Sequence, residues 1–251
     1  MRKFLSASVG LLLLSTTAAY ADGNIAITAQ VGSGNTSATT QSGSGNLAVT
    51  AQVGHDNDAN TTQSGSGNIA ATGQMGSHNS SDIDQKGSGN VAGVGQVGHH
   101  NSSEIDQKGH DNKAMVLQVG KGNRSEVDQH GKRNEIWIWQ DGKWNKVYAK
   151  QGGKGNKAWI SQDGYRNTSN SLQFGYKNHL KVEQDGAKNY AGTLQKGAKN
   201  HAYVDQDGYK NVAGTKQYGY HNTSKIDQHN AYNWALPFQS GSFNYSSITQ
   251  Y

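Results

Sequence analysis

The sequence predicts an all-β solenoid of two-stranded coils, 22 residues to the coil, and three observations lead there. From Asn24 to Gln250 the chain is one eleven-residue motif: Asn, five variable residues, Gln, one variable residue, Gly and two more, with no insertion or deletion. Asn stands at Asn24, Asn35, Asn46 and onward through Asn134 and Asn233 to Asn244, and Gln at Gln30, Gln41, Gln52 and onward through Gln140 and Gln239 to Gln250, each in 21 of 21 repeats. Only 33% of the residues are hydrophobic, against roughly half in ordinary globular chains. A large apolar core is excluded, so the order must come from ladders of polar groups in a stacked-repeat architecture.

Each repeat reads as a seven-residue strand, Asn to Gln, followed by a four-residue turn. Side chains at positions 1, 3, 5 and 7 of such a strand share a face. Position 3 is Ala or Ser in 18 of 21 repeats, as at Ala26 and Ser246, and position 5 is Thr, Ile or Val in 18 of 21, as at Thr28 and Ile248. This restricted face points inward. Positions 2, 4 and 6, which range from Trp to Asp, face solvent. The turn glycine runs from Gly32, Gly43, Gly54 and Gly65 to Gly241 and is replaced once in 20 turns, by Asn230. Glycine suits a tight turn that a Cβ disfavours, and Asn is the next most tolerant residue, so Asn230 reads as a mild exception. A helix is excluded, because glycine in every turn and β-branched residues at alternate sites do not follow the helical period.

A second period of 22 overlies the first. Outward apolar residues such as Ile25, Leu47, Val49 and Ile69 occupy alternate repeats, and Val31, Val53, Met75, Val97 and Val119 open every second turn. Two strands and two turns therefore make one coil, and repeats 22 apart stack about 4.8 Å apart. Asn and Gln amides then meet the same residue above and below, each net bond contributing about 0.5–1.5 kcal/mol.

Arg2 and Lys3 precede an apolar run, Phe4 to Leu14, and Ala19-Tyr20-Ala21 supplies a small-x-small site. Residues 1–21 read as a signal peptide cut after Ala21, and residues 22–251 as a single solenoid domain. The formal charge of +5 falls to +3 without Arg2 and Lys3, too little to argue for a nucleic-acid partner. Cys 0 excludes disulfides, thiolate nucleophiles and cysteine-ligated metals.

Other chemistries are weakly supported. His99-His100 with the turn residues His55, His78 and His110 suggest a metal cluster, set against the simpler reading of solvated histidines. Pieces such as Gly32-Ser33-Gly34 recur as turns and open no helix, unlike a phosphate loop. The nine-residue period and regular aspartates of calcium-binding rolls are missing, and no Ser–His–Asp constellation stands out. The sequence predicts no enzyme, no metal site and no cofactor. Asp141, Asp163, Asp185 and Asp207, with Arg166, Lys188 and Lys210 in the same turns, read as acids offsetting stacked bases or as gatekeepers against premature aggregation. Outward Trp137, Trp139, Tyr148, Trp159 and Tyr203 suggest an aromatic stripe for carbohydrate or fibril bundling, set against cross-strand packing. The penultimate repeat, with Asn230, Trp234, Pro237 and Phe238, is the most irregular, since proline cannot donate to a ladder.

The Asn-x-Ala-x-x-x-Gln half-unit, the Gln-x-Gly-x-x-Asn joint and the signal peptide together resemble the curlin repeat family, the subunits of curli amyloid fibres. The resemblance covers Asn24 to Gln250. It implies a β-solenoid subunit secreted through an outer-membrane channel, held unfolded by a periplasmic chaperone, assembled on a nucleator subunit at the cell surface, and serving adhesion and biofilm matrix. The chain departs from the family in having many more repeats, in placing only Asp22 and Gly23 between the predicted cut and the first repeat, and in opening every strand with Asn where many family repeats alternate Ser and Asn.

The repeats begin two residues after the predicted cut and stop one residue before Tyr251, which leaves no room for capping segments. Both end rungs, Asn24-Ala26-Thr28-Gln30 and Asn244-Ser246-Ile248-Gln250, are expected to recruit further copies head to tail into a homopolymer. Ten and a half coils make a subunit about 50 Å long. The function expected is the structural subunit of an extracellular, curli-type fibre. The alternatives are the nucleator of the same fibre or a monomeric binding solenoid such as an ice-binding protein, although outward Thr36, Thr40, Thr62 and Thr168 form no persistent array.

Overall fold

Small and β-branched residues at alternate sites favour extended backbone, and every repeat contributes strand. The computed structural model describes residues 23–251, so the predicted signal peptide and its cut lie outside the described residues. Nine-residue strands open with β1 (Ile25–Ser33), β2 (Thr36–Ser44) and β3 (Leu47–His55) and continue, one per repeat, to β17 (His201–Tyr209) and β18 (Val212–Tyr220). Four shorter strands finish the series: β19 (Thr223–Gln228), β20 (Trp234–Ala235), β21 (Phe238–Ser242) and β22 (Tyr245–Gln250). No helix occurs among the described residues.

Odd-numbered strands from β1 to β19, followed by β22, stack into one sheet; even-numbered strands from β2 to β20 stack into the other, with β21 also pairing with β18. We call these the odd and even sheets. All pairing is parallel and in register at 22 residues, from Ile25 opposite Leu47 to Thr223 opposite Tyr245. The architecture is the expected β-solenoid.

Strand limits differ from the expectation of seven residues and a four-residue turn. Each full strand starts after its Asn and runs through the glycine, so only two residues, such as Gly34 and Asn35, separate consecutive strands. The cause is stacking: the bend of one coil lies on the identical bend above, and Gly32 pairs with Gly54 inside the ladder.

Glycine is needed there for more than its φ, which is +116° at Gly32. A Cβ at Gly32 would lie 1.9 Å from the carbonyl oxygen of Gly54, and at Gly120 one would lie 2.0 Å from that of Gly142. Asn230 is therefore not the mild exception expected. It adopts φ 71°, β19 stops before it, and it is the top described member of its column, so no glycine carbonyl stands above its side chain. A second left-handed position, immediately before each Asn, was not anticipated from the sequence: Asp56, His78, Arg133, Trp144 and Lys188 all hold φ between 53° and 62° there. Its N–H is fixed by the coil below, as where Asp56 N donates to Ser33 O at 3.0 Å.

The core is a narrow column. Ile83, Val116, Ile136, Ile160, Val182 and Ile226 are completely buried, with Ala48, Ala70, Ala92 and Ala191 beside them. The Asn and Gln side chains of the inner coils are equally buried. At the irregular repeat, Pro237 splits the even-sheet strand into β20 and β21. Its carbonyl still accepts from Lys216 N at 3.2 Å, so the absent donor faces the coil below.

Candidate assembly surface

The expected ladder residues occupy two kinds of column. Let up denote the direction toward higher-numbered coils. In the Asn columns each upper backbone N–H donates down to the amide oxygen below: Asn46 N to Asn24 Oδ1 at 2.9 Å, Asn57 N to Asn35 Oδ1 at 3.1 Å, Asn134 N to Asn112 Oδ1 at 3.1 Å, Asn233 N to Asn211 Oδ1 at 3.0 Å and Asn244 N to Asn222 Oδ1 at 3.0 Å. The Asn Nδ2 staples the bend above, as where Asn24 donates to Gly43 O at 2.7 Å and Asn46 to Gly65 O at 3.0 Å.

In the Gln columns the sense is reversed. Gln30 Nε2 donates up to Gln52 Oε1 at 2.6 Å, Gln41 to Gln63 at 2.8 Å, Gln140 to Gln162 at 2.9 Å, and the columns finish with Gln217 donating to Gln239 and Gln228 to Gln250, both at 2.8 Å. A second Nε2 hydrogen crosses to a backbone carbonyl of the opposite strand, as from Gln52 to Thr36 O at 2.8 Å and from Gln250 to Trp234 O at 3.2 Å. These backbone partners fix which end of each amide is oxygen and which is nitrogen.

The stack is therefore polar. Every upper rim presents Asn oxygens as acceptors and Gln nitrogens as donors, and every lower rim presents Asn N–H donors and Gln oxygens. Upper fits lower with parallel strands in register, whereas two upper rims would meet with strands antiparallel and Asn set over Gln, which breaks both columns. In the first described coil Ala26, Thr28, Gln30 and Asn35 are only half-buried, and so are Ser246, Ile248 and Gln250 in the last; nothing among the described residues covers them.

The outer faces differ from some expectations. His55, His78, His99 and His100 follow odd-numbered strands and share one edge, whereas His110 ends an even-numbered strand on the other. His55, His99 and His110 meet Ser33, Ser77 and Ser88 of the coil below, at 2.6–2.7 Å, while His78 stacks on His100 at 4.9 Å. Among the described residues no group of three or more His, Cys, Asp or Glu is placed to hold a metal. The expected aromatic stripe is divided. Trp137 stacks on Trp159 at 6.3 Å and Trp139 shares their sheet, but Lys181 separates them from Tyr203 and Tyr148 lies on the even sheet.

The basic turn residues do not pair with the Asp column either. Arg166 lies over the Tyr165 ring at 4.9 Å, and Lys188 and Lys210 over Tyr209 at 5.2 and 5.1 Å. Tyrosine faces, rather than carboxylates, accommodate these charges. In the Asp column, burial and then the neighbouring Asp141 and Asp185 push the Asp163 carboxyl above its ordinary range. On the even sheet, burial, Asp84 and Asp58 do the same to Asp82. Writing the sequence in rows of 22 exposes these outward columns; rows of eleven hide them.

A profile of the curlin associated repeat matches five stretches, residues 54–87, 79–109, 104–131, 131–164 and 177–208, together more than half of the chain. The chain belongs to the curlin-repeat family. No curated protein sequence matches this curlin-repeat chain. The matched stretches include the regular middle of the solenoid, where the amide ladders run without interruption.

Proposed function

We propose that this curlin-repeat chain is a structural subunit of an extracellular, curli-type fibre that grows by head-to-tail stacking of solenoids, with residues 1–21 directing export and residues 22–251 forming the building block. The observation that supports this reading is the opposed polarity of the Asn and Gln columns. An upper rim carrying Asn244 Oδ1 and Gln250 Nε2 is chemically what each coil inside the molecule offers to the next. Stacking on a lower rim of Asn24, Ala26, Thr28 and Gln30 would extend both ladders, with the half coil taken up by a half-turn rotation of the next copy or by one skipped strand. A heterologous contact of this kind does not close on itself and gives filaments. The family's structural character fits a role without catalysis, and its nucleator, periplasmic chaperone and outer-membrane channel are the partners proposed for surface assembly in adhesion and biofilm matrix.

The test is assembly of the purified chain, residues 22–251, followed by light scattering and electron microscopy. Growth with a concentration-dependent lag that preformed fibres abolish is expected. A monodisperse monomer persisting at high concentration in the presence of seeds would overturn the proposal.

A further inference from the structure

The outer face of the odd sheet is apolar through its first coils. Ile69, Met75 and Val97 are 42–56% exposed there, and Trp137, Trp139 and Trp159 41–52%. The even sheet over the same coils is acidic instead, with Asp82, Glu104 and Glu126 in one column and Asp84, Asp106 and Asp128 in the next. An extended apolar patch of this kind on a soluble chain marks an interaction surface.

The relief of the patch is self-complementary. In the outward column through the third to seventh coils the residues are Ala71, Gly93, Met115, Trp137 and Trp159, and in the adjacent column Gly73, Gly95, Leu117, Trp139 and Ser161. Two small coils are thus followed by a medium one and then by the tryptophan ridge. The small residues leave a trough of about 610 Å³ bounded by Met115, Leu117, Trp137 and Trp139. It is open at Gly73, while Met115 Sδ and Leu117 Cδ1 lean over Gly93 and Gly95 and must swing aside for a partner's ring. A two-fold axis along the Met115–Leu117 strand sets the fourth coil of one copy against the sixth of another. Trp137 then faces Gly93, Trp139 faces Gly95 and Trp159 faces Ala71.

We propose that this face pairs with the same face of a second copy, the two solenoids running antiparallel, so that each tryptophan ridge fills the other's glycine trough. A two-fold contact of this kind is isologous and closed, unlike head-to-tail stacking, and does not depend on it. Five coils span about 24 Å along the axis and seven strand positions about 20 Å, or about 480 Å² in flat projection. That is below the roughly 800 Å² per partner of a standard stable interface and places the pairing in the weak, transient size class. At the rim, Lys113 of each copy meets its own image on the axis, and Glu135 of each copy lies one rung to either side, so the two lysines are flanked by two carboxylates. The acidic even sheet offers no such self-match.

Cross-linking tests this on the full mature chain before it polymerises, so failure to form fibres leaves the result readable. The chain has no native cysteine. Ser161→Cys is conservative, and a Cβ at Gly73 meets nothing within 4 Å. Facing sheets lie about 10 Å apart, beyond disulfide reach, so a short bis-maleimide is the probe. Antiparallel pairing sets position 161 against position 73 of the partner. An equimolar mixture of the two variants should cross-link into heterodimers, and each variant alone should remain monomeric. Adding Trp139→Ser to both should cut the heterodimer about tenfold, as loss of an anchor side chain does. Homodimers from either variant alone, which parallel pairing would give, or no dimer at all, would overturn the proposal. So would a heterodimer yield unaffected by Trp139→Ser.

Discussion

At the scale of single residues, the glycine column is the most exacting feature. Each member with a coil above it is caught between a φ that side chains avoid and a carbonyl that occupies the space of a Cβ. Gly120→Ala, whose methyl would sit 2.0 Å from Gly142 O, is expected to destabilise the fold by about 3 kcal/mol, combining backbone strain with overpacking. Gly241→Ala meets nothing closer than Asn244 Nδ2 at 3.7 Å and should cost only the strain, about 1 kcal/mol. Urea midpoints of the two variants, measured under non-assembling conditions, check the ranking. Equal losses would mean that φ alone governs the column. The sequence already required glycine at these sites, but the steric reason was hidden, because it lies between residues 22 apart. The same blindness made Asn230 look harmless on grounds of turn tolerance, when its position at the top of a column is what accommodates it.

At the scale of strands and columns, the sequence was most informative where the period is strict. The inward face, the parallel register and the two-sheet coil follow from Asn, Gln and the alternating small and β-branched residues. Strand length did not follow, since a bend that pairs with its own copy looks like a turn in a one-dimensional reading. Nor did the contacts of the outer columns, because a residue such as Arg166 settles on a tyrosine that only stacking brings near. The column of Asp141, Asp163, Asp185 and Asp207 has a consequence for pH. The Asp163 carboxyl is raised by burial and by the acids above and below it. A raised carboxyl binds its proton more tightly folded than unfolded, so stability falls as pH rises from the ordinary carboxylate range through the folded value. Acidification from about pH 7 to about pH 4 should therefore raise the urea midpoint through this group, and Asp163→Asn should flatten that part of the response. An unchanged pH profile in the variant would exclude Asp163 as its source.

At the scale of the whole molecule, two interfaces of opposite symmetry are proposed on one rod, and they differ in what they do to polarity. Head-to-tail stacking preserves the sense of the amide columns, whereas pairing through the tryptophan face cancels it. Single filaments of the Trp139→Ser chain are therefore expected to extend at unequal rates from the two ends of a labelled seed. Paired wild-type filaments should present equivalent ends and extend equally. Two-colour imaging of seeded growth measures both, and equal extension from a lone filament would contradict the polarity of the ladders.

The amide ladders carry almost no record of which coil is which. Since Asn and Gln make the same bonds at nearly every level, duplicating or deleting 22 residues would leave both ladders intact and change only the small and β-branched residues that fill the column between them. Length is thus a quantity that recombination between repeats can adjust, and a given coil takes its address from that filling and from the decoration of the two faces.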